Sequence, residues 1–293
     1  MTATTQHNRW VPYAFLAPFL VILVIFIAYP LYHSVVLSMK QTFGPSRSAF
    51  VGLENFRFLA SDPLFWKALK NTTYFAAGSV LIQLPVSLGL ALLLNRPDVR
   101  GRAVFRLIFF SPSLVGLVFV AMMFSLIFEK NTGLVNVLLH DMSPAFDPEF
   151  PWLQQYVMPT LVIAALWIYG GFNMIYFLAA LQNVDKQLIE AAMVDGANAW
   201  QRFLHVTIPA IRPIATFIVL LSLIGSFQLF DLPYVLLSGA GPDNQGLTVV
   251  MYLFQMGWDQ QDLGLASAIG WSLAMLLGIF ALIYRWLSRA SED

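Results

Sequence analysis

Six stretches of this chain run without an Asp, Glu, Lys or Arg: residues 10–39, 71–95, 107–128, 150–184, 213–230 and 263–284. A helix needs roughly 20 apolar residues to cross the hydrocarbon core of a bilayer, where no water can satisfy an open backbone. Each stretch is of that order, which predicts an all-α integral membrane protein with six transmembrane helices. The fourth is too long for one straight crossing, so residues 151–159 are expected in the loop before it. The fifth is expected to run to Phe230. Composition agrees: the chain is 58% apolar and 11% charged, against roughly 25% charged in soluble domains. The first stretch is too long for a signal-peptide core and has no small-x-small cleavage pattern, so it reads as a retained helix, bent near its end by Pro30.

The same composition excludes much chemistry. With no cysteine there is no disulfide, thiolate metal site or iron–sulfur cluster. His7, His33, His140 and His205 are scattered, with no metal-ligand spacing. No Gly-x4-Gly-Lys-Ser/Thr loop is present to hold nucleotide phosphates, and no Gly-x-Ser-x-Gly elbow to present a nucleophile. Asp231 is the one plausible in-membrane acid, and a single carboxylate is a poor hydrolase. A zero net charge argues against a nucleic-acid partner. The expectation is an integral membrane protein with no catalytic residue, metal or cofactor of its own.

Orientation follows from the basic residues. With both termini inside, the cytoplasmic segments carry Arg9, Arg96, Arg100, Arg102, Arg106, Lys186, Arg202, Arg212, Arg285 and Arg289. The outer segments carry Lys40, Arg47, Arg57, Lys67, Lys70 and Lys130, together with most of the acids. The expected layout is a cytoplasmic tail over residues 1–9, followed by one membrane domain over residues 10–293. In the first outer loop, residues 56–69 read as a helix lying on the membrane surface.

One segment cannot lie in lipid. Asp185, Lys186, Glu190, Asp195, Arg202 and His205 crowd residues 185–209 between the fourth and fifth spans, and a charge at the bilayer centre costs roughly 2.5–3.5 kcal/mol on insertion scales. Residues 188–194 are rich in helix formers, Gly196 permits a turn, and residues 199–206 resume helix, which Pro209 is expected to end. Within the spans, Tyr169, Phe172, Asn173 and Tyr176 fall at i, i+3, i+4 and i+7 on one helical face. Ile224, Phe227, Gln228, Asp231 and Tyr234 read as a second mixed face. Aromatic rings stack on the C–H surface of a sugar and amides bond its hydroxyls, so both faces suit a sugar path. They also suit packing between helices, and Asp231, near the outer boundary, also suits a gate.

The spacing inside the charged loop carries a resemblance. Glu190-Ala191-Ala192, three residues, Gly196, nine residues, then Val206-Thr207-Ile208-Pro209 resembles the cytoplasmic signature of binding-protein-dependent ABC import permeases, which more often end Ile-x-Leu-Pro. Residues 50–56, Asn71-Thr72, residues 133–136, Phe230-Asp231, Tyr234, residues 239–242, Thr248, Tyr252 and residues 264–268 resemble the sugar-uptake branch of the maltose and glycerol-phosphate permease type, first membrane subunit. The resemblance implies a type I importer permease fold in the cytoplasmic (inner) membrane. It implies Glu190, Ala191, Ala192, Asp195, Gly196 and Pro209 as the coupling segment, and substrate contacts near Tyr169, Phe172, Ser226 and Phe227. A homologous second permease forming a heterodimeric pore, two ATPase subunits holding ATP and Mg, and an extracytoplasmic solute-binding protein are the partners it implies. With no Lys or Arg mid-span and one acid, a neutral mono- or oligosaccharide fits better than glycerol phosphate or a polyamine. A channel or scaffold independent of ATPases is the reading from outside the family.

Overall fold

A computed structural model of the chain describes residues 11–44 and 47–289; the tail read over residues 1–9 lies outside them. In chain order the main elements are α1 (Phe15–Ser38), a hairpin of β1 (Lys40–Thr42) and β2 (Ser48–Phe50), α2 (Glu54–Ser61), α3 (Pro63–Asn95), α4 (Arg102–Leu114) and α5 (Leu117–Ile127). There follow α6 (Leu134–Met142), α7 (Val157–Gln182), α8 (Lys186–Val194), α9 (Ala199–Phe227), α10 (Asp231–Leu236), α11 (Val249–Phe254) and α12 (Leu263–Arg289).

Among the described residues, α1, α3, α7, α9 and residues 263–282 of α12 are single helices long and apolar enough to cross a membrane. The third apolar stretch is different. Its two helices, α4 and α5, meet at 96°, because Val115 and Gly116 are both extended, with ψ of 134° and 133°. Six crossings therefore require that this bent pair count as one broken span. The surface helix expected over residues 56–69 is not formed as such. Pro63 pushes the residue before it out of the helical region, and Asp62 takes ψ 116°, so the helix breaks there and α3 begins.

Prolines inside the spans do not end them. Pro30, Pro85 and Pro209 each follow a widened π-turn, at Val24–Ala28, Ser79–Gln83 and Phe203–Thr207. In each, the residue just before the proline donates its N–H five residues back: Tyr29 to Val24, Leu84 to Ser79, Ile208 to Phe203. The wider turn makes room where a proline ring would strike a carbonyl of the preceding turn. That is why Pro209, expected as a terminator, lies inside a continuous α9.

The chain divides into two compact units. In the first, residues up to 62 join residues 253–276. Thr42 Oγ1 donates to Asp262 Oδ1 at 3.0 Å and accepts the Gly264 N–H at 3.0 Å, while Asp262 Oδ1 also accepts the Leu265 N–H at 3.0 Å. The hairpin is thus tied to the start of α12. Gly264 is required at this joint, since a Cβ there would lie 1.8 Å from the Lys40 carbonyl oxygen. Buried Asn55 donates to the Ser38 and Lys40 carbonyls at 2.9 Å each.

The second unit, residues 63–252 with those from 277, contains two apolar clusters. One gathers Phe75, Val120, Phe124, Leu161, Ala165, Leu232 and their neighbours; the other gathers Leu84, Ala91, Met174, Phe177, Leu181 and Ile211. α7 contributes to both, with fifteen of its residues buried. Buried polar groups hold the loops. Thr248 Oγ1 donates to the Leu229 carbonyl at 2.7 Å, and the Val249 N–H donates to Thr72 Oγ1 at 3.1 Å. Asn71 donates to the carbonyls of Asn244 and Leu247, and Lys67 to that of Asp243. Asn136, 1% exposed, donates to Lys130 and Phe150 carbonyls and accepts from Trp152 Nε1 at 2.7 Å.

Candidate functional site

The second unit encloses a cavity of about 270 Å³. α7 supplies Tyr169, Phe172, Asn173 and Tyr176, all four of the face read from sequence. Phe172 and Tyr176 meet edge to face, with ring centroids 5.0 Å apart. Phe172 also stacks on Phe110 at 6.4 Å and is exposed rather than packed in the core. On the far wall, α9 contributes Ile218, Leu221, Ser222, Gly225 and Ser226.

α9 stops at Phe227, earlier than the expected end of the span. Gln228 caps it, its N–H shared between the carbonyls of Ile224 and Gly225 at 3.2 Å each. Phe230 then leaves helical geometry (φ −140°, ψ −60°), and Asp231 opens α10. The face read over Ile224, Phe227, Gln228, Asp231 and Tyr234 is therefore not one helical face. Chain reversal nonetheless brings Gln228 and Asp231 to the cavity with Ser226. Phe227 is turned away: it is 2% exposed, 5.9 Å from Phe280 ring to ring, and is not among the lining residues.

α3 adds Phe75, Ser79 and Gln83, which the sequence reading missed. Ser79 and Gln83 are 2% and 4% exposed, and they bound the π-turn of that helix. Their signal was present, a serine and a glutamine one turn apart in an otherwise apolar span. Among the described residues the side-chain amides of Gln83, Asn173 and Gln228 have no hydrogen-bond partner. Amides of this kind, with the Ser226 hydroxyl, the Asp231 carboxyl and aromatic faces, converge on a space that includes no Lys or Arg. Such a lining can bond hydroxyls and stack on C–H surfaces, and it has no counter-charge for an anion.

A second constellation lies in the 185–209 segment. Asp185 caps α8 by accepting the Gln187 N–H at 2.9 Å. Glu190 and Ala191 are exposed on α8, Ala192 is half-buried, and Asp195 caps its end. Gly196 follows at φ +81°, a left-handed position suited to glycine. Around it, the Gly196 and Ala197 N–H groups return to the Met193 and Ala192 carbonyls at 3.1 and 2.9 Å, closing the helix end. Asn198 and Gln201 then exchange bonds at 2.9 and 2.8 Å, a capping box that starts α9. Arg202 braces the turn by donating to the Ala197 carbonyl at 2.7 Å. The resulting elbow presents large apolar side chains to its surroundings: Leu188, Met193, Val194 at 88% exposure, and Trp200 at 66%. The sequence reading named the charged and small residues of this segment but not these four, which were legible only as apolar residues inside a charged loop. Pro209 is exposed, within α9.

Residues 83–293 match the family described as binding-protein-dependent transport system inner membrane component. Over 94% of its length the chain is 37% identical to the arabinooligosaccharides transport system permease protein AraP of Bacillus subtilis, covering 88% of that protein. It is 33% identical to the lactose transport system permease protein LacF of Rhizobium radiobacter, over 96% of this chain and 94% of the relative. Among solved structures it is similar to a chain of a bacterial ABC transporter involved in the import of the acidic polysaccharide alginate. The TM-score there is 0.82 at 25% identity, with 96% of each chain covered. It is also similar, with TM-score 0.83 and 25% identity, to a chain of the bacterial alginate ABC transporter in complex with an alginate pentasaccharide-bound periplasmic protein, over 96% of this chain and 94% of that one.

Proposed function

The chain belongs to the family of binding-protein-dependent transport system inner membrane components, and from that membership we propose that it forms one half of a pore for neutral sugars. It is a sugar ABC importer permease, an integral membrane transport component and not an enzyme. The observation that carries the substrate reading is the cavity wall itself. Tyr169, Phe172, Asn173, Tyr176, Ser226, Gln228 and Asp231 offer amide, hydroxyl, carboxylate and aromatic groups with no cation. An anionic substrate such as glycerol phosphate would enter such a cavity against the Asp231 charge and with no basic partner. Relatives named for arabinooligosaccharides and lactose support a short neutral oligosaccharide.

In this reading a homologous permease supplies the other half of the pore, and a solute-binding protein delivers sugar on the outer face of the cytoplasmic membrane. Two ATPase subunits hold ATP and Mg on the inner face. The 185–209 elbow is where they dock: Glu190, Ala191, Ala192, Asp195 and Gly196 shape it, and Leu188, Met193, Val194 and Trp200 supply its apolar contact. Because α9 begins inside the elbow at Ala199 and continues without a break through Pro209, a push on it moves the helix that carries Ser222, Gly225 and Ser226. Closure of the ATPases would thereby open and close the cavity in alternation.

The deciding experiment reconstitutes the full complex with its binding protein in liposomes and screens sugars for stimulation of ATP hydrolysis. Neutral oligosaccharides are expected to stimulate, and glycerol phosphate and polyamines are expected not to. Stimulation by an anionic or polycationic solute alone would overturn the substrate reading.

A further inference from the structure

A hydroxyl inside a membrane helix commonly turns back on its own chain. Ser87, Thr160 and Ser272 do so, donating to carbonyls four residues earlier at 2.8 Å each. Ser79, Ser222 and Ser226, all on the cavity wall, behave differently: among the described residues their hydroxyls have no hydrogen-bond partner. The Gln83 amide, one turn on from Ser79 along α3, is in the same state. Ser79 and Gln83 are only 2% and 4% exposed, and groups so buried nearly always recover in hydrogen bonds the hydration they lose. Their polar ends are nonetheless open. Among the described residues the one unpartnered side-chain polar atom sealed from its surroundings is Arg106 Nε, so what little exposure Ser79 and Gln83 keep includes their polar atoms, in the cavity that both line.

Their position in the helix adds to this. The two residues open and close the widened turn Ser79–Gln83, near the middle of α3 (Pro63–Asn95), and four residues apart they share one face. Such turns inside α-helices recur at functional sites. Ser87 Oγ donates to the Gln83 carbonyl, which holds the backbone under the amide from the next turn. Unpaired polar atoms midway along a membrane-crossing helix mark the path of a polar solute. We propose that Ser79 and Gln83 form a hydroxyl-binding subsite of the sugar path, with Gln83 the residue that discriminates among neutral sugars. The proposal rests on the sugar reading of the cavity and adds a third wall to it, on a helix that supplies none of the other polar groups. A primary amide donates from its nitrogen and accepts at its oxygen. Gln83 Nε2 therefore donates to one hydroxyl of a sugar ring while Oε1 accepts from its neighbour. A sugar lacking either hydroxyl leaves the amide bare again, which is how a polar subsite rejects an analogue.

The test titrates the purified complex of permeases and ATPases, with the binding protein left out so that its own preference does not enter. The probes are arabinotriose, lactose and the monodeoxy analogues of whichever binds more tightly. Gln83→Met, close in volume to the native side chain, should weaken binding of the parent sugar about five- to a hundredfold, and Ser79→Ala should weaken it in the same direction. At least one monodeoxy analogue should bind wild type worse than the parent by a similar factor, yet bind Gln83→Met as well as the parent does. Hydroxyl and amide are partners, so removing the second costs nothing more. Packing damage would weaken parent and analogues alike in Gln83→Met, and that result would overturn the proposal. Unchanged affinity in Gln83→Met beside a loss in Asn173→Ala would also overturn it and leave the sugar path standing. Failure of both sugars to bind wild type would instead overturn the sugar reading, and the subsite with it. Gln83→Cys supplies a readout that needs no sugar: it should react with a small polar thiol reagent, whereas Ser87→Cys, fully buried and outside the cavity, should not. An unreactive Gln83→Cys would remove the subsite from the cavity.

Discussion

The carbonyl oxygen of Phe109 stands 1.7 Å from where a β-carbon on Gly171 would sit. α4 and α7 approach backbone to backbone at that point, within two residues of Tyr169, Phe172 and Asn173 on the cavity wall. Gly171→Ala should therefore force the helices apart, with an overpacking cost of about 1–3 kcal/mol or more. Thermal unfolding of the detergent-solubilised complex should shift downward and uptake should fall with it. Gly89→Ala, whose added methyl meets nothing within 4 Å, should leave both near wild type. Equal behaviour of the two variants would mean the close approach is not needed.

Asn173 and Gln228 face each other's side of the cavity from different elements, so they test the sugar path separately. Asn173→Ala and Gln228→Leu should each weaken sugar-stimulated uptake, since a hydroxyl left without a partner costs roughly 1–3 kcal/mol, about five- to a hundredfold in affinity. Ile175→Ala, a position that does not line the cavity, should not. Normal transport by both polar variants would make these faces packing surfaces.

The elbow prediction rests on backbone geometry. Proline fixes φ near −65°, whereas Gly196 holds φ +81°, so Gly196→Pro should unmake the turn while the spans still insert. Uptake should be lost and ATPase subunits should co-purify poorly. Glu190→Arg and Trp200→Ala should weaken co-purification without altering the turn. Full ATPase retention in all three would remove the elbow from the docking site.

Glu129, just beyond α5, accepts the N–H groups of Asn131 and Thr132 at 2.8 and 2.6 Å and the Thr132 hydroxyl at 3.0 Å. These bonds, that from the Thr132 backbone first, hold its carboxyl below the ordinary 4.5. A lowered folded value means that the ionised form stabilises the turn fully above that ordinary value. The contribution is lost as pH falls through the lower, folded one. The protection of the amides in residues 131–133, measured against their intrinsic exchange rate at each pH, should therefore fall on acidification below about pH 4.5. Glu129→Gln should show faster exchange already at neutral pH and a flatter acid response. Protection that ignores both pH and the substitution would refute the link.

The proposed orientation can be tested directly because the chain has no cysteine. Ser143 is exposed between α6 and α7, and Met193 is 49% exposed on the elbow. Cysteine at Ser143 should react with an impermeant thiol reagent in intact cells, and cysteine at Met193 only after permeabilisation. Ala240 and Ala197 are less useful positions, being buried and half-buried. Labelling of position 193 in intact cells would invert the topology.

What could be read beforehand follows from how strongly the solvent constrains each residue. Lipid tolerates no open backbone and few charges, so the spans and the 185–209 elbow stood out in residue order alone. Gly196, Asn198 and Gln201 act within a few residues of themselves, and α7 is straight enough for Tyr169, Phe172, Asn173 and Tyr176 to keep their spacing. The misses are places where the chain departs from a single period. Gln228 follows a short apolar run that gives no sign of the helix end at Phe227, so Phe227 was placed on the cavity wall instead of against Phe280. Ser79 and Gln83 sit on a widened turn of α3, and the 96° break after Leu114 comes from two extended residues with no charge to mark them. Pro209 was judged by the rule for water-exposed helices, whereas inside a membrane helix a local π-turn reconciles the proline with its neighbours.

Those π-turns carry a geometric consequence. Each one inserts an extra residue into its helix, and an added residue turns everything beyond it by about 100° around the axis. In α9 the insertion at Phe203–Thr207 separates the elbow end, with Trp200 and Arg202, from the cavity end, with Ser222 and Ser226. The two ends are one rod mechanically and two different azimuths chemically. Deleting a single residue between Phe203 and Thr207 would straighten the hydrogen-bond ladder and leave the side chains of both ends present. It would also swing the elbow about a quarter turn away from the direction in which the proposed contact lies, while the cavity stayed where it was.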